Sequence, residues 1–204
     1  FEQAVDGLAE ACRAFRIPVT GGNVSLYNDT EGASIYPTPV LGVVGLIRDV
    51  GRVVGPGFRK EGDLIVLLGE PGDGINGSQY LRIVHGRETG PAPALDFDLE
   101  RRVQEVCLAA VEAGLVRSAH DISDGGLAVC LAESAIHSPE KLGCALDLEE
   151  EVRDDVLLFG ESQSRIVVSL GRSKLAGLRK VAVRKKVRLT VLGRVGRQDV
   201  VIRS

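Results

Sequence analysis

The sequence predicts an α+β fold with mixed sheets, divided between two unequal domains. Apolar residues recur at helical spacing in two long stretches, 1–15 and 99–113. Short runs rich in Val, Ile and Leu, at 63–69 and 166–170, read as buried strands. Just ahead of the first of these runs, Gly51 to Gly62 places four glycines and a proline among charges, the composition of a boundary. The division falls at residues 1–56 and 57–204.

Phe1 to Phe15 is an amphipathic helix. Phe1, Ala4, Val5, Leu8, Ala11, Cys12 and Phe15 share one face, opposite Glu2, Asp6, Glu10 and Arg13. Ile17-Pro-Val-Thr-Gly-Gly-Asn-Val-Ser-Leu-Tyr-Asn28 starts as a short strand and breaks at Gly21-Gly22. Two glycines let the backbone approach a ligand with no Cβ in the way. In an extended chain Asn23 and Ser25 share one face while Val24 and Leu26 pack on the other. That arrangement suits a polar ligand carrying phosphate or bound metal, although a Gly-Gly-Asn hairpin turn would leave the same signature. A polar loop and Pro37-Thr-Pro39 then lead to a long apolar strand, Val40 to Ile47, expected to be buried on both faces.

The second domain opens with a buried strand, Asp63 to Gly69. Gly72-Asp-Gly-Ile-Asn-Gly77 matches the dinucleotide-binding G-x-G-x-x-G only formally. The helix after it, Ser78 to about His85, is short and runs into Gly90-Pro91-Ala92-Pro93, so the cofactor reading is rejected. A clean amphipathic helix, Leu99 to Ala113, ends at Gly114.

Val116-Arg-Ser-Ala-His-Asp-Ile-Ser-Asp-Gly-Gly-Leu127 is a strand that ends in His120, Asp121 and Asp124. It gives way to a helix, Leu127 to Ile136, apolar nearly all round and therefore expected to be buried. Ser123 or Asp124 as a plain N-cap explains much of this. The double glycine favours a phosphate or metal–nucleotide site built from helix N–H groups and carboxylates. A short strand spans Leu142 to Leu148, and Glu149 to Asp155 is a charged surface turn. Glu161, Ser162 and Gln163 form a polar cluster ahead of a strand, Ile166 to Leu170. A binding role and a structural Arg165–Glu161 pair weigh about equally there. Ser173 caps a last helix through about Lys186, whose basic run is its solvated face, and the strand Arg188 to Val195 closes the chain.

The 204 residues hold 44% apolar and 26% charged residues, enough for a sizeable core and a soluble surface. A net charge of −3, from 25 basic and 28 acidic residues, argues against a nucleic-acid-coating surface. No run approaches membrane-spanning length. Cys12, Cys107, Cys130 and Cys144 stand far apart in apolar settings and read as buried, reduced thiols of a cytoplasmic protein. The chain opens at Phe1 inside a helical pattern, which predicts a piece of something longer.

Thr20-Gly-Gly-Asn-Val-Ser-Leu-Tyr-Asn28, Pro37-Thr-Pro-Val-Leu-Gly-Val-Val-Gly-Leu46, Ala119-His-Asp-Ile-Ser-Asp-Gly-Gly-Leu-Ala128 and Phe159-Gly-Glu-Ser-Gln-Ser-Arg165 occur in this order. Together they closely resemble the synthetase subunits of phosphoribosylformylglycinamidine synthase, in the aminoimidazole ribonucleotide synthetase superfamily. The resemblance covers essentially the whole chain. It implies the end of a ferredoxin-like, barrel-forming domain (1–56), followed by a second C-type domain (57–204) truncated at its C-terminus. The implied reaction is ATP-dependent amidation of formylglycinamide ribonucleotide with glutamine-derived ammonia, a carbon–nitrogen ligation in purine biosynthesis. The same resemblance places Gly22 at ATP, Asn23 at Mg²⁺ and Ser25 at the ribonucleotide. It carries no catalytic residue into this stretch, because the family's catalytic histidine lies in the absent first half. His120, Asp121, Asp124, Glu161, Ser162 and Gln163 would line an auxiliary site. Expected partners are the missing N-terminal half, a glutaminase and a small bridging subunit, with no nucleic acid and no membrane. The alternatives are another ATP-using superfamily member, such as selenophosphate synthetase or thiamine-monophosphate kinase, and a non-catalytic docking domain.

Overall fold

The computed structural model describes residues 1–25, 29–36, 38–148 and 151–203. The chain divides into two compact units, Phe1–Arg48 and Asp49–Ser204.

In the first unit, helix α1 (Glu2–Phe15) has an acidic residue in its first turn and Arg13 in its last, complementing the helix dipole. It ends where Arg16 turns left-handed (φ 56°) and Ile17 N–H donates to the Cys12 carbonyl at 2.9 Å. The only strands among the described residues of this unit are the two-residue pair β1 (Asp29–Thr30) and β2 (Ala33–Ser34). This departs from the sequence expectation twice. Neither Ile17–Thr20 nor Val40–Ile47 forms a strand, and the second is exposed, with Val40 at 94% and Val44 at 99%. An apolar run becomes a strand only where neighbours take up its backbone hydrogen bonds and cover its faces. The described residues of this unit supply no such neighbours.

The second unit is built on a six-stranded mixed sheet. Its strands are β3 (Leu64–Leu68), β4 (Ser118–Asp121), β5 (Cys144–Asp147), β6 (Ile166–Leu170), β7 (Leu189–Val195) and β8 (Val200–Arg203), in the order β4-β6-β3-β7-β5-β8. All neighbours run antiparallel except β5 and β8. All five residues of β3 are buried. Ile65 and Leu67 enter a core with Phe58, with Leu127, Cys130 and Leu131 of helix α4 (Gly126–Ile136), and with Leu157 of helix α5 (Asp154–Phe159). Leu64, Val66 and Leu68 enter a second core, with Val103, Val106 and Ala110 of helix α3 (Phe97–Glu112) and Leu178 and Ala182 of helix α6 (Leu175–Arg184). A strand covered on both faces loses the apolar–polar alternation, which is why residues 64–68 read as one apolar run.

Asp96 caps α3, its Oδ1 accepting from the N–H groups of Asp98 and Leu99 at 2.9 and 3.0 Å. The short helix α2 (Gln79–His85) starts one residue later than the sequence reading, with Ser78 as its N-cap. Four expectations need correcting. Helix α4 is not buried all round, since Ile136 is 77% exposed. Ser173 lies in a single 3-10 turn, Arg172–Lys174, and caps nothing through its side chain. Beyond Val195 comes β8, a strand of four residues whose parallel partner lies more than fifty positions back in the sequence. Asp154 and Asp155, expected in a surface turn with Glu149 and Glu150, start helix α5; Glu149 and Glu150 lie outside the described residues.

Replacing a fully enclosed side chain should cost far more than trimming an exposed one on the same helix. Leu131→Ala is expected to lower stability by about 2–5 kcal/mol through transfer and cavity terms. Ile136→Ala should stay within about 0.5 kcal/mol. Urea denaturation followed by circular dichroism checks the pair; equal losses would contradict this packing.

Candidate functional site

Glycine opens the first candidate stretch. Gly22, Asn23 and Ser25 lie on exposed, irregular backbone, and a Cβ built on Gly21 or Gly22 meets nothing within 4 Å. The backbone there is accessible to a ligand. Tyr27 and Asn28 lie outside the described residues.

The second candidate site forms at one end of the sheet. Register brings Leu68 and Asp121, the last residues of β3 and β4, to either side of Ile166, the first of β6. The segments leaving β3 and β4 and the one entering β6 therefore meet. Ile122 N–H donates to the Arg165 carbonyl at 3.0 Å and pins two of them. Asn76, Gly77, Pro93, Ile122, Ser123, Asp124, Glu161 and Gln163 surround an open cavity of about 310 Å³ at this junction.

Glu161 is its best-fixed polar residue. Its Oε1 accepts from Gly125 N–H at 2.7 Å and from Gln79 N–H at 2.8 Å, joining the starts of α4 and α2. Gly125 is the N-cap of α4, so neither Ser123 nor Asp124 caps it, contrary to the simpler sequence reading. The double glycine has an internal cause as well. Gly125 and Gly126 both take positive φ, and a Cβ on Gly126 would sit 2.7 Å from Phe159 Cα and from the Leu158 carbonyl oxygen. The close approach is to the backbone of α5.

Arg165, only 4% exposed, holds the 160–165 turn together. Its Nε donates to the Ser162 carbonyl at 2.9 Å and its Nη2 to the Gly160 carbonyl at 2.6 Å. The Arg165–Glu161 pair, one of the two readings weighed from the sequence, does not form, because Glu161 points to the helix starts and the guanidinium back into its own turn. Burial pulls the Arg165 pKa down, and the nearby charge of Asp73 acts against that. Ser162 turns its Oγ to accept from Asp73 N–H at 3.3 Å.

The structure thus gathers Asp124, Glu161 and Gln163 around one cavity, with Ser162 just behind. His120 and Asp121 do not line it. His120 Nε2 lies 3.2 Å from Glu133 of α4, and its Nδ1 lies 3.3 Å from Asp121. Sequence reasoning missed Asn76, Gly77 and Pro93. For Asn76 and Gly77 the signal was the glycine run 72–77, set aside once it failed as a dinucleotide motif; Pro93 lies in the later Gly90–Pro93 stretch. Two carboxylates, two side-chain amides and a hydroxyl suit a ligand rich in hydroxyl or amine donors. Among the described residues, no three His, Cys, Asp or Glu side chains converge as a metal cluster.

Cysteine burial is uneven. Cys130 and Cys144 are buried, while Cys12 and Cys107 are half-buried, so the expectation of four buried thiols holds for two. Burial first, then the charges of Asp121 and Glu133, push the Cys130 thiol from 9.0 up to about 12. A raised folded pKa means that its contribution is complete below pH 9 and is lost as pH climbs toward 12. Stability should fall through that window, and Cys130→Ala should make the fall shallower. Urea midpoints at about pH 8 and about pH 10 test this; parallel slopes for both proteins would refute it.

The family described as "AIR synthase related protein, C-terminal domain" matches residues 60–203, and its N-terminal-domain counterpart matches residues 1–47. The phosphoribosylformylglycinamidine synthase subunit PurL of Moorella thermoacetica is 48% identical over 203 residues, covering 100% of this chain and 27% of that protein. A PurL subunit of Symbiobacterium thermophilum is 48% identical over 197 residues, covering 96% of this chain and 25% of its own length. The chain spans about a quarter of the length of these curated relatives. Among solved structures, T. maritima PurL complexed with FGAR superimposes with a TM-score of 0.62 at 22% identity, over 72% of this chain and 26% of that one. At that identity the likeness establishes a shared fold. With a family model matching most of its residues and both domain types in order, this chain belongs to the AIR synthase related family, and its whole length is similar to PurL subunits of phosphoribosylformylglycinamidine synthase.

Proposed function

We propose that this chain is part of the ATP-dependent ligase that converts formylglycinamide ribonucleotide, ATP and glutamine-derived ammonia to formylglycinamidine ribonucleotide, ADP and phosphate. The observation that carries this is the 48% identity to a PurL subunit along the whole chain. Residues 1–56 would be the end of a second N-type domain and 57–204 a second C-type domain, truncated at its C-terminus. The working location would be the cytoplasm; no helix among the described residues is long and apolar enough to cross a membrane.

In this reading Gly22 lies against ATP, and its open surroundings support close backbone approach. Ser25 offers a hydroxyl to the ribonucleotide. Asn23 offers one hard carbonyl oxygen suited to Mg²⁺, and the remaining ligands would come from nucleotide phosphates, water and carboxylates in the missing half. When bound, the ion neutralises phosphate charge during transfer. The substrate amide oxygen attacks the γ-phosphate, ADP leaves, and ammonia then displaces phosphate from the iminophosphate to give the amidine. This chain's part is to hold nucleotide and substrate in line. Without the first half the fragment would be inactive. Of the six residues of the auxiliary site in this reading, Asp124, Glu161 and Gln163 line the cavity, with Ser162 behind it and His120 and Asp121 outside its lining.

In the full chain, with Mg-ATP, ammonia and formylglycinamide ribonucleotide, Asn23→Ala should lower substrate-dependent ADP release at least about tenfold. Unchanged release would return Asn23 to a turn role. No substrate-dependent release in wild type would move another ATP-using member of the superfamily to the front.

Exposed Val40, Val44 and Leu46 favour a second reading, a docking domain that associates with its other half, a glutaminase and a small bridging subunit. Size-exclusion chromatography with those partners should show earlier elution. Failure both to associate and to bind nucleotide would remove this reading.

A further inference from the structure

Between Asp73 and Asp96 the chain leaves the layered body. Ser78 is the only residue of that stretch that is buried, and no residue of α2 is. The segment is tied down at both ends. Gly72 is buried beside Arg165 and Ser162, and Asp96 caps α3. In between it mainly bonds to itself: Gly77 N–H donates to the Thr89 carbonyl at 3.2 Å, and Ser78 Oγ to the Ile75 carbonyl at 2.6 Å.

From the body, Phe159 at the end of α5 and Glu161 just after it both reach α2. Glu161 Oε1 accepts Gln79 N–H at 2.8 Å, and Tyr80 stacks on Phe159 with ring centroids 4.8 Å apart and planes within 9°. The segment also supplies one wall of the 310 Å³ cavity, through Asn76, Gly77 and Pro93. The body supplies the other, through Ile122, Ser123, Asp124, Glu161 and Gln163. A wall with little buried apolar surface, anchored at its ends and bonded mainly to itself, is a unit that opens below the cost of global unfolding.

We propose that residues 73–95 form a lid over this cavity and that Glu161 is its latch. The carboxylate serves both sides, since the oxygen that holds the lid at Gln79 also holds the start of α4 at Gly125. Lifting the lid frees one acceptor position on Glu161, inside the cavity, for a hydroxyl or amine donor of an entering molecule. Lid position and the polarity of the cavity are thereby coupled. The inference rests on the cavity and its contacts, not on the nucleotide chemistry proposed above, so either can fail alone.

Gln79→Pro opens the latch, with Gln79→Ala as its control. Gln79 is the first residue of α2, where proline fits the helix, and Ser78 ahead of it is already extended (ψ 157°). Proline removes the N–H given to Glu161 together with the side-chain oxygen that accepts from Arg82 Nε at 3.0 Å; alanine removes the second alone and should leave exchange in 75–90 near wild type. Hydrogen–deuterium exchange on the full chain should find 73–95 less protected than 64–68 and 166–170 in wild type. Gln79→Pro and Glu161→Ala should each speed exchange in 75–90 by about tenfold, leaving β3, α3 and β6 unchanged. Wild-type protection of 73–95 equal to that of β3 would overturn the lid. Unaltered exchange in Gln79→Pro would overturn the latch. If Glu161→Ala loosens the whole unit, Gln79→Pro decides, because it removes nothing from the body.

Discussion

Leu64, Val66 and Leu68 feed one core while Ile65 and Leu67 feed another, so a single five-residue strand has to be covered twice. That requirement sets the layers of the second unit. Helices α4 and α5 take one face of the sheet, α3 and α6 the other, and every connection between them must pass round a sheet edge or end. The path from β3 to α3 leaves at the same end where β4 leaves and β6 enters. Backbone in such a crossing cannot join the ladder, and its polar groups need water or side-chain partners. A cavity lined by amides and carboxylates is the consequence, and the lid segment is the part of the crossing that neither core could absorb.

Arg165 shows how such a junction is held without a strong ion pair. A guanidinium taken out of water is costly unless its donors are used. Here they go to carbonyls of its own turn, which fixes the turn and leaves the Glu161 carboxylate free to bridge two other segments. A direct Arg165–Glu161 pair would have satisfied both charges locally and tied neither α2 nor α4 to the turn.

Much of the second unit was legible in the sequence because its signals are local. Helix α3 announces itself by period and stop signal, and β3 by an unbroken apolar run. What the sequence hid depends on partners. Strand β8 forms because β5 waits beside it, and four residues carry too little pattern to say so. Asn76 and Pro93 join the cavity through the path of the chain, not through any spacing. Glu161, Gln163 and Asp124 stood out as polar residues between apolar runs, but their grouping away from His120 rests on which way each side chain turns.

The two double glycines carry the same sequence signal and differ in steric cause. At Gly126 the missing side chain makes room for the backbone of α5, at Gly125 for the Val129 side chain one turn along α4, and the Gly125 N–H is already bonded to Glu161. Packing alone therefore accounts for that pair. At Gly21–Gly22 nothing within 4 Å would meet a Cβ, so packing inside this unit gives no reason for glycine there. The conformational freedom of a pair of glycines in an ordered chain is an entropic cost that something must offset. A close-approaching ligand or neighbouring chain is what would offset it at Gly21–Gly22. The opening stretch thus keeps a steric reason for the binding role proposed for it, and the cavity in the second unit has the lid proposed for it and a polar lining.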